Sequence, residues 1–346
     1  FFSGLTEVTF AWLLLLVYWL RLKKQFATSL VLLSFLPLVR TEAVLFLVWF
    51  GLIELIERRN WQPLLLFTAA IIYSLIGWIA KGDMLWLITE MPYTGGENIY
   101  GSGMLTHYLN LMPETLSWVV LIPALLGTAL LPIQLLKGEK DAQWVFKYLV
   151  VPSLLYIGFH SVMWYVGRVS LGLPRMLAVV APLFALLAVY GIQMLFSGIN
   201  RTMGNLLAFA ICGFLVWNTF SNEQLPIELG DEEKVLEQAA EFIRDNGLGS
   251  HKIHYYSLYN EVSLGLDPHN SEQCQQIVHN RANPHEEVKS GSLVIWDAHF
   301  APNEGAMPLE NLNSNEHFEV LKVFKPEPAF NTLGNRPFEV YVFIRK

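Results

Sequence analysis

The first 220 residues consist of apolar runs separated by short polar breaks, and the remaining residues alternate between apolar and polar positions. A membrane-spanning helix needs about 20 predominantly apolar residues, so we expect the apolar runs to form transmembrane helices. About eight runs have this character: residues 5–20, 26–39, 41–56, 63–80, 115–136, 146–166, 175–196 and 203–220. The pattern predicts a mostly α fold, a polytopic transmembrane helical bundle with about eight spans.

Arg40 interrupts the apolar stretch 26–56, which could form one helix of about 46 Å or two short helices. Lys and Arg concentrate on the cytoplasmic side of membrane proteins. Two short helices place nine basic residues of the membrane half on one side and four on the other, whereas one long helix gives an even split. The charges therefore favour two helices, with Arg40 and Glu42 between them on the outer side.

Residues 221–346 differ from this pattern and carry 10 basic and 20 acidic side chains, against 13 and 10 in residues 1–220. Acidic residues from Asp231 favour a helix start, and Gly247 favours its end. Four short runs rich in β-branched and aromatic residues are strand candidates: 252–258, 292–296, 317–324 and 337–344. We expect a transmembrane domain over 1–220 and a small, acidic α/β domain over 221–346 on the periplasmic side of the cell (inner) membrane.

The composition supports this division. Hydrophobic residues make up 53% of the chain and charged residues 15%, against about 25% charged in an average soluble domain. This balance excludes a single soluble domain, a disordered chain and a nucleic-acid-binding protein, which needs a basic face. Cys212 and Cys274 lie in different domains and are not expected to pair. Because the chain opens on Phe1 with no charged leader, we expect a fragment whose beginning is missing.

Polar residues converge on the expected outer side. Arg168 and Arg175 lie there against the positive-inside tendency, and a guanidinium group binds phosphate through two parallel hydrogen bonds. Ordinary anchoring at the interface is the alternative for both arginines. Arg40 and Glu42 are either a functional pair within the membrane or a structural one. His160 lies in an apolar run and is either functional or a hydrogen-bonded packing residue.

Other motifs give weaker indications. His251-x-x-His254 has a strand-like setting and lacks further ligands at zinc-site spacing, so we expect no metal site. Gly101-Ser-Gly103 lacks the strand–turn–helix setting of a phosphate loop and predicts a flexible turn. Asp297-Ala-His299 follows a predicted strand, where it forms either a binding loop or a turn capped by the aspartate.

Three passages resemble the polytopic GT-C glycosyltransferases, and among them the bacterial mannosyltransferase-like members. The first passage is Ser3-Gly-Leu-Thr-Glu7, which precedes a leucine-rich run. The second is Leu38-Val-Arg40-Thr-Glu42, in the place of the family's Arg-Pro-Glu. The third runs from His160 to Trp164 and continues with Leu173-Pro-Arg175 and Val180-Ala-Pro182-Leu. The resemblance covers about residues 1–220.

The resemblance implies transfer of a sugar, mannose-like, from a polyprenyl-phosphate donor to a glycan, lipid or protein acceptor at the outer face. Arg168 and Arg175 then hold the donor phosphate, while Glu7, Arg40 and Glu42 shape the donor and acceptor sites, and His160 matches the pattern without an assigned role. The family's catalytic base is an acidic residue in the first external loop, which we expect to precede Phe1, so no catalytic residue is assigned. The resemblance implies no cofactor besides the lipid-linked donor.

Two other classes of protein stay open. A transporter or flippase of lipid-linked sugars needs polar residues and broken helices near the bilayer midplane. A non-catalytic membrane scaffold would dock a partner on its acidic outer domain. The expected gathering of charges at one face favours the enzyme.

Overall fold

The computed structural model describes residues 6–57, 61–90, 101–196, 201–222, 228–332 and 336–346. Ser3–Leu5, part of the first passage of the glycosyltransferase resemblance, lie outside the described residues. The chain divides into two compact units, Phe1–Asn222 and Glu223–Lys346.

All regular elements in the described ranges of the first unit are helices. Its α-helices are α1 (Thr6–Leu22), α2 (Phe26–Phe35), α3 (Val44–Glu57), α4 (Thr68–Lys81), α5 (Trp86–Thr89), α6 (His107–Leu116), α7 (Trp118–Leu136), α8 (Lys140–Val145), α9 (Val151–Tyr165), α10 (Ala181–Phe196) and α11 (Arg201–Asn222). Tighter 3₁₀ segments cover Leu36–Leu38, Thr41–Ala43, Gln62–Phe67 and Pro174–Val179, and a π-helical turn over Phe146–Val150 joins α8 to α9.

The prediction of about eight membrane spans is wrong. Within the described residues, three helical stretches are long and apolar enough to cross a membrane: Gln62–Lys81, Trp118–Leu136 and Lys140–Tyr165. Most of the other apolar runs form shorter helices, because polar residues and tight turns interrupt them. For example, α3 has 14 residues and reaches about 21 Å, which is short of a hydrocarbon core of about 30 Å.

The chain breaks at Arg40. Its backbone is extended, with φ −151° and ψ 131°, between the 3₁₀ segments Leu36–Leu38 and Thr41–Ala43. Pro37 lies in the first of these segments and has no backbone N–H to continue a helical ladder. Residues 26–56 are therefore two helices rather than one, and the Arg40 side chain lies between them.

The core of the first unit is rich in aromatic residues. Phe10 and Tyr18 of α1 contact Phe46 and Phe50 of α3, respectively, with ring centroids 5.8 and 5.7 Å apart. Outside this core, large apolar side chains are exposed, and the exposed fraction reaches 90% for Leu136. Many exposed apolar side chains are typical of a lipid-facing protein, and the three long helices fit association with a membrane.

α7 and α10 cross in backbone contact. A Cβ atom built on Gly127 would lie 2.8 Å from Gly191 Cα, and one built on Gly191 would lie 2.0 Å from Pro123 O. These distances leave no room for a side chain at either glycine. Small residues commonly allow membrane helices to approach in this way.

The second unit contains one mixed five-stranded sheet in the order β2-β1-β3-β5-β4. Its strands are β1 (Ile253–Tyr255), β2 (Cys274–Gln276), β3 (Leu293–Asp297), β4 (Phe318–Phe324) and β5 (Val340–Arg345). β1 pairs in parallel with β2 and β3, and β5 pairs antiparallel with β3 and β4. The helices are α12 (Asp231–Asp245), α13 (Tyr259–Leu264), α14 (Pro284–Glu287), α15 (Phe300–Asn303) and α16 (Glu310–Asn313).

Four of these strands and α12 lie where the sequence pattern predicts them. α12 ends at Asp245, and Gly247 follows with a φ of +68°, the left-handed conformation for which glycine is suited. The pattern did not predict β2, since Cys274-Gln-Gln276 is an edge strand with only its first residue buried. The fully buried residues of β3 and β5 form the centre of the core.

Candidate functional site

Arg40 is the centre of a charged cluster at one end of the first unit. Its Nη1 lies 2.8 Å from Glu7 Oε1, and its Nη2 lies 2.8 Å from Glu42 Oε1. Only 14% of the Arg40 side chain is exposed. The guanidinium group therefore links the first turn of α1 to the 3₁₀ segment before α3.

Glu7 receives a second guanidinium group. Arg175 Nε lies 3.2 Å from the same Glu7 oxygen, Oε1. Arg175 follows Pro174 at the start of the 3₁₀ segment that precedes α10, where the proline fixes the entry to the helical turn. The Glu7 side chain is almost fully buried, whereas 46% of the Arg175 side chain is exposed. Arg175 is thus anchored through Nε while its outer part reaches the surface.

His160 of α9 lies on the other side of Glu42. Its Nε2 is 3.9 Å from Glu42 Oε1, too far for a hydrogen bond, and its Nδ1 is 3.3 Å from Ser170 Oγ. Ser170 Oγ also shares a 2.6 Å hydrogen bond with the Tyr108 hydroxyl. His160, Glu7, Arg40, Glu42 and Arg175 are named the Arg40 cluster below.

Tyr156 borders this cluster and was missed by sequence reasoning. Its ring centroid lies 4.5 Å from that of His160, four residues further along the same helix. Its hydroxyl group is buried and forms no hydrogen bond with the residues that the structure describes. A buried hydroxyl without a partner is destabilising, so the site is suited to a bound polar group. The four-residue spacing from His160 is the signal in the sequence.

Arg168 is the one predicted site residue that the structure does not bring into the cluster. It follows α9, its side chain is exposed, and it forms no ion pair with the described part of the chain. The expectation that Arg168 and Arg175 act as a pair therefore gains no geometric support. The backbone carbonyl of Gly172, between the two arginines, instead contacts His107 Nε2 at 2.7 Å.

Asp297 and His299 form a second polar group, within the second unit. Asp297 Oδ1 accepts hydrogen bonds from the backbone N–H groups of His299 and Phe300, at 3.1 and 2.6 Å, which is a capped turn. Burial raises the pKa of Asp297 to about 6, although these two N–H groups oppose the shift. Burial lowers the pKa of His299, but a 2.7 Å contact with Glu232 outweighs burial and raises it overall.

The remaining motifs also have structural settings. His254 is buried within β1, and His251 Nδ1 contacts the Gly291 carbonyl at 2.5 Å. No group of three or more His, Cys, Asp or Glu residues in the described ranges is arranged to hold a metal ion. In the Gly101-Ser-Gly103 turn, Gly103 N–H donates to the carbonyl oxygen of Trp164 at 3.3 Å.

Comparison with protein-family models, with curated proteins and with solved structures found no match. The resemblance to GT-C glycosyltransferases therefore rests on the three sequence passages. The geometry of the Arg40 cluster is an independent observation.

Proposed function

We propose that the chain is an integral-membrane glycosyltransferase that moves a sugar, mannose-like, from a polyprenyl-phosphate donor to an acceptor at the outer face of the membrane. The observation that carries the proposal is Arg175, a half-exposed guanidinium group anchored on buried Glu7. In this proposal the outer part of Arg175 binds the donor phosphate. Arg40 positions Glu7 and Glu42 and does not contact the donor, because each terminal nitrogen has two partners. They are Glu7 and Thr6 for Nη1, and Glu42 and Met176 for Nη2.

An apolar groove beside the cluster supports a lipid-linked donor. It has a volume of about 560 Å³ and lies among α2, α3, α4 and α5. Leu38 and Thr41, on either side of Arg40, line one end of it, and Leu55 lines it near the end of α3. The residues of the Arg40 cluster do not themselves line the groove, but Leu38 and Thr41 flank Arg40 in the chain. An apolar groove close to a charged cluster suits a ligand with an anionic head and a long hydrocarbon chain.

The transporter class fits the structure less well. Between Glu7 and Arg21 of α1 there is no charged residue, and none lies between Glu42 and Glu54 or in α9. A transporter site at mid-depth would need polar groups there. One observation favours a scaffold role. Arg40 and Arg175 balance the charges of Glu7 and Glu42, and such balanced ion pairs also occur where charged residues only hold helices together.

We propose further that the chain is a multi-pass protein of the inner membrane with its second unit on the periplasmic side. The described basic residues support this orientation, because six of them lie at the end of the helices opposite the Arg40 cluster: Arg21, Lys23, Lys24, Lys137, Lys140 and Lys147. Four described basic residues belong to the other side: Arg40, Arg168 and Arg175 at the cluster end, and Lys81 at the end of α4. The positive-inside tendency makes the six-residue end cytoplasmic.

The test is binding and transfer with the full-length protein in membranes. The wild type should bind polyprenyl phosphate at least tenfold more tightly than the uncharged polyprenol, since a charge-assisted hydrogen bond contributes about 1.5–3 kcal/mol. Arg175→Lys should lower sugar transfer by roughly ten- to a hundredfold, because an ammonium group cannot form two parallel bonds to phosphate.

Arg168→Lys is the matched control, because Arg168 is exposed and lies outside the cluster. It should retain most of the transfer rate. Equal binding of the phosphate and the polyprenol, or wild-type kinetics in Arg175→Ala, would exclude the proposed role. In that case the cluster would be a structural link.

A further inference from the structure

A second charged cluster lies at the other end of the first unit. Arg21 Nη2 is 2.5 Å from Glu54 Oε1 and 2.9 Å from the Tyr148 hydroxyl, and all three residues are buried. Arg21 lies 14 residues after Glu7 on α1, a rise of about 21 Å. The proposed transfer reaction therefore does not use these residues.

A cleft of about 370 Å³ opens beside this pair. We name it the basic cleft, and its lining includes Arg21, Lys24, Lys140, Trp144, Lys147 and Tyr148. They come from the end of α1, the turn before α2, α8 and the π-helical turn that follows it. Four of these six side chains are cationic.

The charges in the basic cleft are only partly balanced. Glu54 pairs with Arg21, and Glu57 pairs with Lys147. Lys24 and Lys140 are exposed and form no ion pair with the residues that the structure describes. Among the described residues, the four cations that line the cleft are paired with two carboxylates, so two cations are in excess.

Arg21 itself has unused hydrogen-bonding capacity. Only 4% of the residue is exposed, yet its Nε and Nη1 form no hydrogen bond with the described residues. The rings of Tyr148 and Phe50 lie 4.8 and 5.0 Å from its guanidinium carbon and hold the group in place. A fixed guanidinium group with free donors is suited to an anion.

We infer that the basic cleft binds the phosphate group of an anionic membrane phospholipid. Lys24 and Lys140 supply the excess charge, and Arg21 supplies fixed donors. A lipid is favoured over free phosphate because apolar side chains also line the cleft, among them Leu22 and Phe26. Trp144 is of the residue type that is enriched where helices leave a bilayer.

The experiment uses the full chain in a neutral detergent, titrated with short-chain phosphatidylglycerol or phosphatidylcholine. Native mass spectrometry counts the lipids that are retained. We expect one phosphatidylglycerol to bind saturably and at least tenfold more tightly than phosphatidylcholine. Lys24→Gln and Lys140→Gln should each weaken it roughly fivefold, since a basic residue near an anionic lipid contributes about 1 kcal/mol.

Lys23→Gln is the matched control, because Lys23 is exposed beside Lys24 but does not line the cleft. It should bind like the wild type, and so should Arg175→Ala, which separates this site from the proposed donor site. Equal affinity for the two lipids would overturn the inference, as would an equal loss in Lys23→Gln. Competition by inorganic phosphate at the same concentrations would assign the cleft to free phosphate instead.

Discussion

Arg40 Nη1 and Glu7 Oε1 lie 2.8 Å apart, and this ion pair ties the start of α1 to the break between α2 and α3. The same guanidinium group contacts Glu42, so one side chain holds two carboxylates that are otherwise distant in sequence. The cluster therefore contributes to the packing of the helices as well as to the proposed site.

Removal of the Arg40 charge is predicted to destabilise the first unit. Arg40→Gln leaves Glu7 and Glu42 without their shared partner, and loss of one member of a buried ion pair costs about 3–5 kcal/mol. We expect a clear fall in the thermal unfolding temperature in detergent. Lys81→Gln is the control, because Lys81 pairs with Glu90 at an exposed position. An equal change in both variants would mean that the cluster is not a stabilising link.

The crossing of α7 and α10 gives a second prediction. Gly191→Ala places a methyl group 2.0 Å from Pro123 O, so the two helices have to separate. We expect a lower unfolding temperature and less protein in the membrane. Gly158→Ala is the matched control, since a Cβ atom at this exposed helical glycine meets no atom within 4 Å. Unchanged stability of Gly191→Ala would contradict the close crossing.

The buried carboxyl of Asp297 predicts a dependence of stability on pH. Its pKa is raised to about 6 in the folded state from 3.8, so the folded state binds the proton more tightly than the unfolded state. The contribution of the Asp297 carboxyl to folding stability is therefore greatest below pH 4, and it is lost as pH rises to about 6. The pKa of His299 is also raised, so its contribution to folding stability likewise falls as pH rises above 6.5.

Asp297→Asn tests this prediction, because an amide oxygen can still accept the two backbone hydrogen bonds but does not ionise. We expect amide hydrogen exchange in β3, corrected for its intrinsic pH dependence, to become less protected between pH 4 and 6 in the wild type. The variant should show a flat profile over this range. An identical profile in both proteins would assign the dependence to other groups.

The orientation of the chain is a fourth prediction. A reporter that is active only in the periplasm should be active when it is fused after Lys346, because six described basic residues mark the other end of the helices. Activity of a reporter that works only in the cytoplasm would reverse the orientation. It would also place the Arg40 cluster on the inner side.

Sequence reasoning located the polar residues better than it located the spans. Glu7, Arg40, Glu42, His160 and Arg175 are rare charged or titratable groups in apolar surroundings, so each is visible in the sequence. Their partners are harder to find, because Tyr156 is indicated only by its four-residue spacing from His160, and Ser170 lies among ordinary packing residues. The number of spans was overestimated because each apolar run was taken to form one helix long enough to cross the membrane. In the structure, 3₁₀ segments such as Leu36–Leu38 and Pro174–Val179 replace part of these runs and shorten the α-helices.

The separation between the two charged clusters has a consequence for the surrounding lipid. Glu7 and Arg21 bound an apolar stretch of α1 that rises only about 21 Å, against a hydrocarbon core of about 30 Å. A bilayer accommodates a short hydrophobic stretch by becoming locally thinner. Next to α1 and α3 the leaflets would then be compressed, which would bring the headgroup of a neighbouring lipid closer to Arg175. Under the proposed function, this would shorten the path of the lipid-linked donor to Arg175.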